Sequence, residues 1–367
     1  EIITPDFVSP TVTTTGGAHP TNAPDVIDAG GGNDIIESGG GNDTVTGGQG
    51  NDVAILGSGN DQFIWNPGDG SDVVEGQGGF DTLVFNGSNA NETMDLSANG
   101  ERTRLSRDVG NVVMDLNGVE RIQIAALGGS DHITVDDLTG TAVKQVAIDL
   151  GAHGVGDGSP DNVTVNGTAA GDRVTITSSG STVLVNGLSA QVSIDNAEAA
   201  NDSLIVNGLG GDDVINASTL AAGKIGLTID GGVGNDVITG SAGNDTLIGG
   251  DGNDTVTGGA GNDTAFLGAG NDQFTWNPGD GNDAIEGQDG TDTVIFNGSK
   301  AADTIVVAPN GGDVVVVGSN GSVDVNGVEN LVIKAGAGDD TITASNGLST
   351  LTALTIDGGS GNDTITG

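Results

Sequence analysis

In two stretches of this chain an aspartate returns every nine residues, nearly always inside the phrase Gly-x-Gly-Asn-Asp. The first run is Asp25, Asp34, Asp43, Asp52 and Asp61; the second is Asp236, Asp245, Asp254, Asp263 and Asp272. After each run the step widens once to eleven, at Asp72 and Asp283, and then returns to nine at Asp81 and Asp292. A nine-residue unit is too short to enclose a core of its own, so it buries its apolar face only by stacking on copies of itself. The period therefore constrains the chain to a solenoid, with a carboxylate at the same corner of every turn.

Such corners need a counter-charge. The chain has 51 acidic and 9 basic residues, a formal net charge of −42. No Lys or Arg occurs between Asp25 and Asp81 or between Asp236 and Asp292. Stacked carboxylates without basic partners repel one another, and a divalent cation is the economical way to neutralise them. The same balance disfavours nucleic acid and anionic membrane surfaces as partners, since both are recognised through Lys and Arg. Glycine contributes 68 residues and aromatics only 2%. Gly-rich acidic chains often stay disordered; here each unit keeps a large apolar residue, and disorder of the Asp blocks is the alternative only in the absence of the ion. There is no Cys, hence no disulfide. No apolar stretch approaches the length of a transmembrane segment.

Each unit reads Gly-Gly-x-Gly-Asn-Asp-x-U-x. The glycines allow a tight turn, and the last three positions form a short strand in which U points inward. U is Ile27, Ile36, Val45, Ala54 and Phe63 in the first run, and Ile238, Leu247, Val256, Ala265 and Phe274 in the second. Turns on one edge are two units apart, which pairs Asp34 with Asp52, Asp43 with Asp61, Asp245 with Asp263 and Asp254 with Asp272. The runs match at an offset of 211 residues, through Trp65/Trp276, Pro67/Pro278 and Phe85/Phe296. The phrase Trp-Asn-Pro-Gly-Asp-Gly causes the eleven-residue step; its Trp is read as a packing residue, and Asp69 and Asp280 are left open. Asp-poor ladders with apolar/polar alternation follow each run. The expected organisation is a linker or cap over 1–24, repeat block one over 25–80, ladder modules over 81–151 and 152–231, repeat block two over 232–291, a third ladder over 292–357, and a restarting block over 358–367. The chain begins without Met and stops inside a repeat, so it is expected to be a piece of something longer. No helical periodicity of useful length appears.

Gly47-Gly48-Gln49-Gly50-Asn51-Asp52-Val53-Ala54-Ile55 and Gly249-Gly250-Asp251-Gly252-Asn253-Asp254-Thr255-Val256-Thr257 carry a resemblance to a family. They resemble the RTX, or hemolysin-type calcium-binding repeat, proteins. The close resemblance covers roughly residues 25–85 and 232–296. It implies an all-β fold, a right-handed parallel β-roll or β-solenoid, with multiple Ca2+ ions held between stacked turns by Asp carboxylates and turn carbonyls. Calcium suits this, being a hard cation that takes six to eight oxygens and accepts backbone carbonyls. The implied carboxylate ligands are the ten Asp of the two runs, with Asp72, Asp81, Asp283, Asp292 and Asp363. The implied carbonyl ligands are those of Gly30, Gly32, Gly39, Gly41, Gly48, Gly50, Gly57, Gly59, Gly232, Gly234, Gly243, Gly250, Gly252, Gly259, Gly261, Gly268 and Gly270. Asp131, Asp213 and Asp340, in the ladders, are weaker candidates that could serve only as turn formers.

No catalytic constellation is evident. His19, His132 and His153 sit in no metalloprotease or hydrolase motif, and adjacent acids such as Asp136-Asp137 and Asp212-Asp213 point to opposite faces of a strand. There is no phosphate-binding loop. The chain is expected to be a non-enzymatic, calcium-stabilised extracellular solenoid, a structural or adhesive segment of a secreted, matrix, S-layer or filament-like protein. The alternative is the carrier region of a toxin or hydrolase whose catalytic domain lies elsewhere. An ice-binding rod would need a Thr row at the variable turn position, where this chain has Gly, Gln, Ser, Ala and Asp. End-to-end self-association is a further expectation, from ends without obvious polar caps. The resemblance also implies type I secretion from a Gram-negative bacterium.

Overall fold

The computed structural model describes residues 2–4, 7–8, 13–15 and 20–367. Among them there is no α-helix; the only helical segment is a 3-10 turn at Leu348–Thr350. No helix is long and apolar enough to cross a membrane. The fold is all-β, a parallel β-roll of short stacked strands, as the nine-residue period requires. Alternate units go to alternate sheets. Ile35–Glu37 pairs in parallel with Val53–Ile55, and Val26–Asp28 with Thr44–Thr46, each eighteen residues on. In the two repeat blocks each three-residue strand buries only its middle residue, in the pattern seen at Thr44–Thr46 and Val53–Ile55. Ile27, Ile36, Val45, Ala54 and Phe63 are all at most 1% exposed, as are Ile238, Leu247, Val256, Ala265 and Phe274. One apolar side chain per unit is thus enough for a thin core, because both sheets contribute to it.

The chain forms two compact units. The first holds residues 1–166 and 179–203, the second 167–178 and 204–367. In the first unit one sheet runs in parallel from Val26–Asp28 through Thr44–Thr46, Gln62–Trp65, Thr82–Ser88, Arg121–Leu127 and Gln145–Asp149 to Gln191–Asp195. The other runs from Ile2–Thr4 through Ile35–Glu37, Val53–Ile55 and Val73–Glu75 to Val112–Asn117. At the start of the first of these sheets, Thr13–Thr15 lies antiparallel to Val26–Asp28. Residues 179–203 belong here because their hairpin, Thr182–Asn186 with Gln191–Asp195, pairs back onto Gln145–Asp149. The second unit repeats the plan. Val214–Thr219, Val237–Thr239, Thr255–Thr257, Gln273–Trp276, Thr293–Asn297, Asn330–Lys334 and Ala353–Asp357 make one sheet. Gly226–Val233, Asp245–Asp251, Thr264–Gly270, Gly281–Gly290 and Gly321–Asn326 make the other.

The ladders depart from a plain solenoid. After Val73–Glu75 the sheet continues through an antiparallel meander, Thr93–Asn99, Arg102–Arg107 and Val112–Asn117, before parallel stacking resumes at His132–Val135. Thr304–Asn310, Asp313–Gly318 and Gly321–Asn326 do the same in the second unit. The alternation of apolar and polar residues announces strands but carries no sign of direction, so the meanders were not legible in it.

Candidate metal-binding columns

The corner of each turn is built by two neighbouring residues with opposite tasks. The Asn of Gly-x-Gly-Asn-Asp faces outward, and its side chain accepts the backbone N–H of the Asn one coil on; Asn51 and Asn60 donate in this way to Asn33 and Asn42, both at 2.9 Å. The Asp faces inward. Its backbone N–H donates to Oδ1 of the Asp one coil on, at 2.7 Å for Asp34 to Asp52, 2.7 Å for Asp43 to Asp61 and 2.7 Å for Asp254 to Asp272. Its backbone carbonyl accepts from the strand above, as Val53 donates to Asp34 and Thr44 to Asp25. Repeated coil after coil, this draws the carboxylates into columns.

At most corners one carboxylate oxygen is thereby used, and the other is not. Asp43, Asp52, Asp61, Asp72, Asp81, Asp236, Asp254, Asp263, Asp272, Asp283 and Asp292 each keep Oδ2 buried without a hydrogen-bond donor. So do Asp131, Asp213 and Asp340 in the ladders. Buried polar atoms are rarely left unpaired, and a series of them at equivalent positions calls for a partner from outside the chain. Burial, more than the neighbouring carboxylates, pushes Asp72, Asp81, Asp131, Asp254, Asp263 and Asp283 up to about 7.

Glycine makes room around these oxygens. A Cβ on Gly47 would lie 2.3 Å from Asp52 Oδ2, and one on Gly258 2.4 Å from Asp263 Oδ2. The carbonyls of Gly32, Gly41, Gly50 and Gly59 press on the glycine one coil on, at 1.6–1.7 Å from where a Cβ would stand. The carbonyls of Gly30, Gly39 and Gly57 accept a backbone N–H from the next turn, which leaves each a second lone pair. Among the described residues no group of three or more His, Cys, Asp or Glu side chains is placed to hold a metal. A cation here would draw on one or two carboxylates and otherwise on carbonyls, a donor set that suits calcium and not a transition metal. The residues present therefore fit Ca2+.

The candidate residues do not all stand alike. Asp25 and Asp245 lie in the columns, but their carboxylates are already engaged within their own turns. The Thr21 amide donates to Asp25 Oδ2 at 2.7 Å, and the Ser241 hydroxyl to Asp245 Oδ1 at 2.9 Å. Asp363 stands at the end of the last column and takes the Asp340 amide at 3.1 Å. Asp131, Asp213 and Asp340 do have stacked neighbours: their amides donate to Oδ1 of Asp161, Asp236 and Asp363. Asp69 and Asp280 instead cap their own Pro-containing loops, accepting from the Asn66 and Asn277 amides. Trp65 is fully buried, stacks on Phe85 with centroids 4.2 Å apart, and donates to the Gly70 carbonyl. His132 is exposed on its strand, and His19 lies outside the described residues.

Sequence reasoning missed seven members of the columns. Asp161, Asp172, Asp202 and Asp303 are corner carboxylates. Glu92 stands at a corner too, its amide donating to Asp131. Glu120 and Glu329 close two columns, accepting the amides of Asp81 and Asp292. Their spacings, such as 39 residues from Asp81 to Glu120 and 41 from Asp161 to Asp202, hide any period. The one signal common to most of them is an acid two residues before an inward apolar residue.

A model of the RTX calcium-binding nonapeptide repeat family, in four copies, matches residues 21–54, 28–63, 68–84, 228–256, 239–274, 279–299, 332–351 and 355–367. No curated protein matches the chain.

Proposed function

Because this is an RTX protein, its calcium-binding nonapeptide repeats stacked as a β-roll, we propose that it is a non-enzymatic segment of a secreted or cell-surface protein whose folding is switched on by calcium. The observation that carries this is the row of buried carboxylate oxygens without a donor. When bound, calcium supplies the positive charge those oxygens lack. The chain's own part is to hold the carboxylates in register through the amide-to-Oδ1 bonds and to keep the turn carbonyls close with glycine.

Magnitudes favour a switch. Extracellular calcium modules bind at about 10⁻⁴–10⁻³ M, so at roughly millimolar calcium each site contributes on the order of 0.4–1.4 kcal/mol. Summed over the columns this rivals the stability of an ordinary domain, about 5–15 kcal/mol. In a calcium-poor cytosol the same chain stays loose, as export unfolded by a type I system requires, and folds outside. A structural or adhesive role is supported by the modular alternation of blocks and ladders.

The test is far-UV circular dichroism during a calcium titration from EDTA, with magnesium as control. A cooperative gain of β signal with calcium alone is expected. A chain already fully β in EDTA at neutral pH and indifferent to calcium would sink the switch.

A further inference from the structure

Most corner carboxylates fall into two states, and the backbone four residues earlier separates them. At the corners named next that residue has a positive φ, and the carboxylate keeps its second oxygen buried without a donor. Gly48 (φ 87) precedes Asp52 and Gly259 (φ 92) precedes Asp263. The rule holds where the residue is not glycine: Gln77 (φ 70) precedes Asp81, Leu127 (φ 74) Asp131, Leu209 (φ 73) Asp213 and Gln288 (φ 69) Asp292. Such angles are uncommon for side-chain-bearing residues, and these four share one place in the turn.

In the other state the peptide is turned over, and the amide of that residue donates to the carboxylate. Thr21 donates to Asp25 at 2.7 Å, Thr168 to Asp172 at 2.7 Å, Glu198 to Asp202 at 2.6 Å and Ser299 to Asp303 at 2.6 Å. Ser241 closes on Asp245 with both its amide and its hydroxyl. The positive end of an N–H dipole then stands against the oxygen a cation would take, and binding would have to break those bonds first.

We infer that this backbone choice, and not the presence of the aspartate, sets which corners take calcium. The inference rests on the calcium reading above and deepens it. It assigns calcium to the open corners at Asp131 and Asp213, which lie outside every segment matched by the repeat family. Both are at most 2% exposed, with Oδ2 buried and without a donor. It withholds calcium from the closed corners at Asp25 and Asp245, which lie inside matched segments.

Ser241 offers the sharpest test. Replacing it with glycine turns Gly240-Ser241-Ala242-Gly243-Asn244-Asp245 into the same six residues as Gly258–Asp263. Calcium bound per chain is counted by equilibrium dialysis on the full chain and on Ser241→Gly, Asp245→Asn and Asp131→Asn, with circular dichroism confirming that each variant folds in calcium. Ser241→Gly is expected to gain an ion, Asp245→Asn to match the parent, and Asp131→Asn to lose one. A Ser241→Gly chain with no added ion, or an Asp245→Asn chain that loses one, overturns the rule. Gain of an ion cannot arise from misfolding, so the test survives if Asp131→Asn fails to fold. A parent chain that binds no calcium at all would instead defeat the calcium reading itself.

Discussion

Gly48 and Gly30 show what a single residue contributes to a corner. Both have left-handed backbones, at φ 87 and 94. A Cβ on Gly48 would lie 2.0 Å from the Gly30 carbonyl oxygen, whereas one on Gly30 meets nothing within 4 Å. Backbone strain is therefore shared, and only Gly48 adds a clash with the coil below. Gly30→Ala is expected to cost about 1–2 kcal/mol from the left-handed backbone alone, and Gly48→Ala clearly more. Urea unfolding in saturating calcium measures both; equal losses would show that glycine is needed for its φ and not for the close approach of turns. At the same scale, Asp and Asn are not interchangeable in Asn-Asp, since one supplies the outer amide ladder and the other the inner carboxylate.

At the scale of an element, the meander at Thr93–Asn99, Arg102–Arg107 and Val112–Asn117 carries its own cation. The Arg107 guanidinium bonds Glu92 Oε1, reaches the Val109 carbonyl at 2.9 Å, and lies 5.4 Å from the Trp65 ring centroid. Arg107 is 5% exposed and Glu92 1%. Here an arginine neutralises a corner carboxylate. The second unit keeps the Trp276–Phe296 stack at 4.2 Å but has Gly318 at the matching place, close against the Phe296 ring. Breaking a buried pair by removing one partner costs about 3–5 kcal/mol, so Arg107→Ala is expected to destabilise the first unit by that order. Glu92→Gln in the same chain should recover part of it. Thermal unfolding in calcium tests this, and a double variant no more stable than Arg107→Ala alone would show that packing on Trp65, not charge, holds the meander.

Across the whole molecule the dominant cost to be managed is the burial of carboxylates, with repulsion between them second, and pH reports on it. In the calcium-free fold several corner carboxyls titrate near 7, burial being the main cause. In an unfolded chain they titrate near about 3.9. Between those values the folded state binds more protons than the unfolded one, so its stability rises as pH falls from about 7 toward 4. In EDTA the chain is expected to gain β structure and resistance to urea as pH is lowered from 8 to 5. With calcium the preference reverses, because protons and the ion compete for the same oxygens. A calcium-free chain more resistant to urea at pH 8 than at pH 5 would refute the account of the columns as desolvated acids.

The nine-residue period was enough to determine the β-roll, its inward residues and the Asp columns of the two blocks, because stacking is periodic and each unit reads the same locally. Charge segregation alone was enough to call for a cation. The continuation of the columns through Asp131, Asp161, Asp202 and Asp303 was decided by tertiary structure, since coils of irregular length bring those acids into line only once the chain has wound. So was the difference between Asp245 and Asp263, two aspartates in near-identical repeats. One serine for one glycine lets the peptide turn over, and a side chain that sequence marks as a ligand becomes the acceptor of its own turn.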